Sequence, residues 1–111
     1  MKTFPALFVV CSLASGAAAA SSTDRAGYCA SISSYAEQVM FIRQMNKPIE
    51  SQMESVRYQF DTAVEQASAQ ALVQRAWTVE RSSTSRDQQK QISRFGESTE
   101  AACIAGEIFP A

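Results

Sequence analysis

Apolar residues recur every three or four positions through most of this chain, and that spacing predicts helices. Cys29, Ile32, Ala36, Val39 and Met40 fall on one face of a first helix running from Arg25 to about Met45. Asn46-Lys47-Pro48 ends it, because proline disfavours helical geometry in the residue before it while suiting the first turn of the next helix. Ile49, Met53, Val56 and Phe60 continue the period, which extends through Val64, Ala67 and Ala71 to Val79. A single helix from Pro48 to Glu80 would be about 50 Å long at 1.5 Å per residue, far longer than a domain of this size is wide. A break is therefore expected. Thr62-Ala63-Val64-Glu65 has the form of a capping box and sets the new start near Asp61 or Thr62.

The third helix is predicted to run to about Arg81 and to bury Val64, Ala67, Ala71, Leu72, Ala76 and Val79. Ser82 to Ser85 reads as a turn, with Ser83 or Thr84 capping a fourth helix. Ile92, Phe95, Thr99, Ala102 and Cys103 line the inner face of that helix, and Gly106 suits its C-terminus. No alternating strand pattern and no repeat interrupts the series. Four helices joined by short turns predict an all-α fold, a small antiparallel four-helix bundle.

The first twenty residues follow a different logic. Lys2 is followed by a nearly unbroken apolar stretch from Phe4 to Leu13 and by small residues ending in Ala18-Ala19-Ala20. This is the layout of a cleavable secretory signal peptide, with cleavage expected near Ala20. The apolar stretch is about half the length needed to cross a bilayer. Val10 before Cys11 does not fit a lipoprotein attachment site. The expected organisation is a signal peptide at residues 1–20, a flexible N-terminus at 21–28, a helical domain at 29–106 and a C-terminal tail at 107–111. Localisation is then periplasmic or secreted, with no stable membrane insertion once the signal is removed.

The cysteines acquire meaning from this. The chain of 111 residues has three, and Cys11 leaves with the signal peptide. Cys29 and Cys103 remain as an even pair in an oxidising compartment, which predicts a disulfide. It would tie the start of the first helix to the end of the last.

Cys29, Ala36, Met40, Arg43-Gln44, Pro48 and Met53 in the first half, and Arg81, Ser83, Gln88, Ile92, Phe95 and Ala102-Cys103 in the second, resemble a family of small exported bacterial proteins of unknown function. The resemblance covers about residues 29–103. It departs at Phe41, where a polar residue is expected, and at Trp77, where tyrosine is usual. It implies an all-helical, disulfide-closed, periplasmic protein and no mechanism.

Charge and chemistry narrow the function. There is no histidine, so histidine-based nucleophile systems and most zinc sites are excluded. No glycine-rich phosphate loop is present, and no cofactor is expected. Glu50 with Glu54, and Glu97 with Glu100, are the carboxylate pairs that an enzyme or a metal binder would need. Such pairs on helices are ordinarily solvated surface. Without residues 1–20 the chain has nine cations against eleven anions, so nucleic acid is not an expected partner.

Two features stand out as candidate interface. Val39-Met40-Phe41-Ile42 places four apolar residues in succession, which cannot share one helix face; Phe41 falls away from the core side, near Met45. Either the Ile108-Phe109 tail or another segment covers it, or Phe41 and Met45 form a contact surface. Arg86, Lys90 and Arg94 form a basic stripe opposite Ile92, Phe95 and Cys103, suited to solvent or to an anionic partner. The expected function is a noncatalytic interaction module of the bacterial periplasm, with another envelope protein as partner. An envelope stress or acid chaperone is the second reading, and a carboxylate enzyme or metal binder the third.

Overall fold

The computed structural model describes the backbone of residues 9–110 and the side chains of residues 24–110. Part of the expected signal peptide, residues 1–8, lies outside the described residues, as do the side chains of the rest of it. Four helices follow in order: α1 (Val9–Gln44), α2 (Ile49–Gln59), α3 (Ala63–Thr78) and α4 (Ser85–Ile104). No strand occurs among the described residues. α1 begins upstream of Arg25, the residue at which its apolar period starts.

Four of the helix ends are set by a local device. At the end of α1, Asn46 adopts a left-handed φ of 64°. Its N–H donates to the Arg43 carbonyl and that of Lys47 to the Ile42 carbonyl, which satisfies carbonyls left over at the helix end. Gly106 does the same for α4 at φ 79°, with Gly106 N–H donating to Cys103 and Glu107 N–H to Ala102. Between α2 and α3 the capping box forms as expected. Thr62 Oγ1 accepts from Glu65 N–H at 3.1 Å, and Glu65 Oε1 accepts from Thr62 N–H at 3.4 Å. Thr84 caps α4 by accepting from Asp87 N–H at 3.1 Å.

The helices run alternately up and down. α1 and α4 form the most extensive pairing, α3 lies beside α1, and α2 packs on α3. The core is one cluster: Cys29, Ile32, Ala36, Val39 and Met40 from α1, Val56 from α2, Ala69, Leu72, Val73 and Ala76 from α3, and Ile92, Phe95 and Cys103 from α4, joined by Phe109. Trp77 packs on its edge. Cys29 and Cys103 form the expected disulfide, with Cα atoms 5.6 Å apart and 74 positions between them in sequence.

α3 differs from its sequence reading in two ways. It ends at Thr78, not near Arg81, because Val79 turns extended, with ψ 133°. Its buried face is also rotated: Val64, Ala67 and Ala71 are exposed, and Ala69 and Val73 are buried with Leu72 and Ala76. The cause lies upstream. Phe60 leaves the helix with extended backbone and docks its ring 5.0 Å from Tyr35 and 5.4 Å from Phe109, and α3 then restarts in a register of its own.

Candidate functional site

The two ends of the bundle are built differently. At the end where α1 stops, Gln44 is only 1% exposed. Its side-chain oxygen accepts from Ser82 N–H at 2.8 Å, and its amide nitrogen donates to the Glu80 carbonyl at 3.4 Å. Arg81 Nε donates back to the Gln44 carbonyl at 3.1 Å, and Arg43 Nε to the Val79 carbonyl at 3.0 Å. Gln88 Nε2 closes the set on the Ser82 carbonyl at 2.9 Å. The strand-like link from Val79 to Ser82 has no ladder of its own, so these side chains supply the partners its backbone needs. From the sequence Gln44 has a place in the resemblance but no structural role. The signal was its spacing: it extends the Ala36 and Met40 stripe by one more turn.

At the disulfide end, Arg25 donates to the carbonyls of Cys103 and of Ile108, the latter at 3.4 Å. Ser68 Oγ accepts from Phe109 N–H at 2.9 Å, and Phe109 is fully buried against Tyr28 and Phe60. Phe109 takes a left-handed φ of 48°, which costs about 1–2 kcal/mol for a residue with a Cβ. Burying its ring contributes about 3 kcal/mol, enough to hold the tail down.

Next to it, Tyr28 donates its hydroxyl to Glu65 Oε2 at 2.8 Å. Burial first, then the Glu65 carboxylate, pushes the Tyr28 hydroxyl up to about 12. The hydrogen bonds from Tyr28 and Thr62 hold Glu65 below its ordinary value. Asp24, Arg25, Tyr28, Thr62, Val64, Glu65 and Pro110 line an open cleft of about 650 Å³ here. Its polar lining is largely engaged already: Glu65 holds Tyr28 and Thr62, and Arg25 holds the chain end. Tyr35, deeper in, is also pushed up to about 12 by burial, and its hydroxyl has no hydrogen-bond partner.

The expected interface residues all lie at the surface. Phe41, in the last turn of α1, and Met45, the first residue after that helix, are each 51% exposed. The tail does not cover them, because Phe109 docks beside Tyr28, about four turns back along α1 at the disulfide end of the bundle. Arg86, Lys90 and Arg94 are exposed along α4. None of the three makes an ion pair among the described residues, where the pair that forms is Arg57 with Glu54 at 3.0 Å.

Compared with protein-family profiles, curated proteins and solved structures, the chain has no match. Function therefore rests on the geometry. The carboxylate pairs offer little chemistry: Glu54 is bonded to Arg57, and no cluster of three or more metal-ligating side chains occurs among the described residues. Nor is any helix among them long and apolar enough to cross a membrane.

α1 and α4 meet most closely at Gly96. Ser33 Oγ donates to the Gly96 carbonyl at 2.9 Å, and the Glu37 side chain lies where a Cβ on Gly96 would stand, 2.6 Å from Glu37 Cγ. Phe41 follows Glu37 by one turn. In an antiparallel pair this makes Phe41 level with the turn of α4 that contains Ser93.

Proposed function

We propose that this chain is an exported, noncatalytic protein-interaction module that works in the periplasm of a bacterium. The observation that supports it is the exposure of Phe41 and Met45. The core closes without them, both ends of the bundle are fastened by other residues, and an exposed aromatic with a methionine one turn away is a surface suited to a protein partner. The head-to-tail disulfide suits a chain that folds and stays in an oxidising compartment.

The test is affinity capture from a bacterial envelope extract with wild type, Phe41→Asp and Tyr58→Asp. Tyr58 is also exposed but lies on α2. A partner retained by wild type and Tyr58→Asp but lost with Phe41→Asp is the expected result; equal recovery by all three overturns the reading.

An acid-responsive chaperone is the second reading, and Glu65 favours it. Protonating this one carboxylate weakens the bonds it accepts from the Tyr28 hydroxyl and from Thr62 in the α3 capping box, which loosens the end of the bundle that covers Phe60 and Phe109. Apolar-dye binding that rises as the pH is lowered from 7 to 2 would support it, and a protein that stays dye-free throughout would dismiss it.

A further inference from the structure

We infer that the face formed by Phe41 of α1, Met45 just after that helix, and the outer side of α4 pairs with a second copy of this chain about a two-fold axis. The inference rests on the interaction-module reading and names its partner. Arg86, Lys90 and Glu97 share one exposed face of α4, at spacings of four and seven, with Glu100 beside it. Along that face the charge runs from basic to acidic, and the helix has no cation in its last turn, while Asp87 stands in its first turn where the dipole favours an anion. None of these four residues makes an ion pair among the described residues, and the charge of α1 beside Gly96 is Glu37, also acidic.

A second copy laid antiparallel reverses the order. An axis near Ser93 puts Lys90 of each copy against Glu97 of the other and turns Arg86 toward Glu100 of the second copy, while the two helix dipoles oppose. Because Phe41 is level with the same turn of α4, the axis also brings the two Phe41 rings together at the centre, with Met45 of the two copies one turn to either side of it. A two-fold interface must be self-complementary, and this face is so in both charge and polarity.

Sedimentation of the purified protein with its disulfide intact tests this, at about 100 μM, where a weak interface of ordinary size assembles. Wild type is expected to sediment as a dimer that weakens in high salt. Lys90→Glu and Glu97→Lys are each expected to be helical monomers, since each sets like charges against one another twice. Mixed in equal amounts they are expected to form a dimer again, because each then supplies the charge the other needs. A monomeric wild type, variants that dimerise as wild type does, or a mixture that stays monomeric would overturn the inference. A monomeric wild type that still captures a different protein through Phe41 would overturn it while leaving the module reading in place.

Discussion

Gln44 and Ser82, 38 positions apart, are joined by a 2.8 Å hydrogen bond from the Ser82 backbone N–H to the Gln44 side-chain oxygen, within the polar set that Arg43, Arg81 and Gln88 complete. Replacing Gln44 with leucine keeps the volume and removes both the acceptor for Ser82 and the donor to Glu80. Buried backbone groups left without partners cost about 1–3 kcal/mol. Gln44→Leu is expected to lower the urea midpoint accordingly, while circular dichroism before the transition stays that of the wild type.

The disulfide is expected to contribute more than any hydrogen bond. Its 74-position span restricts the unfolded chain strongly, and the loop-entropy argument gives about 4 kcal/mol. Chemical denaturation with and without reductant, and of Cys29→Ser, Cys103→Ser, measures it. A difference below about 1 kcal/mol would show that the unfolded chain already holds its ends together.

Glu65 gives the fold an acid limb. Its folded pKa is depressed by the Tyr28 and Thr62 hydrogen bonds, so the stability it contributes is present above the ordinary glutamate value. It is lost as the pH falls through the lower folded value. Glu65→Gln is expected to be less stable than wild type at neutral pH and to converge with it in acid. Parallel stability curves at all pH values would count against the Tyr28–Glu65 bond.

Tyr35 makes the opposite case, a buried hydroxyl without a partner. Tyr35→Phe removes that hydroxyl and keeps the ring that meets Phe60, so stability is expected to be unchanged or higher by up to about 1 kcal/mol. In alkali, Tyr28 and Tyr35, both pushed up to about 12, bind protons between pH 10 and 12 that the unfolded chain has released. Stability therefore falls across that window, and absorbance titration of the phenolates in Tyr35→Phe shows one late-titrating group fewer.

Gly96 is a matter of space. Alanine there favours the helix by about 0.5–1 kcal/mol but meets the Glu37 side chain at 2.6 Å. Gly96→Ala alone is expected to gain little or to lose stability. In a Glu37→Ala background the same change is expected to stabilise, and a double-mutant cycle isolates the difference.

The α1 and α4 faces were legible because their apolar residues stand out from polar neighbours: Cys29, Ile32, Ala36, Val39 and Met40 on one, Ile92, Phe95, Thr99 and Cys103 on the other. α3 was not, because Ala63, Ala67, Ala69, Ala71 and Ala76 give it two nearly equivalent weakly apolar sides. Val64 then points to the wrong one. That Phe41 leaves the core face followed from the four-residue apolar run, since a helix has no way to bury all four; that no other segment covers it did not. The path of the tail did not follow, because Phe109 is held by the Ser68 hydroxyl and by a ring, Phe60, that only the break between α2 and α3 brings within reach. The Gln44 cluster stayed hidden because one glutamine near a turn looks like solvent-facing surface until its acceptors are known.

Because Cys29 and Cys103 enclose all three interhelical turns, a protease that cuts once at the exposed Asn46–Lys47 turn separates nothing. The two pieces stay linked through sulfur and migrate as one species until a reductant is added, and a nicked molecule keeps its ends tethered while the cut helices find their places again.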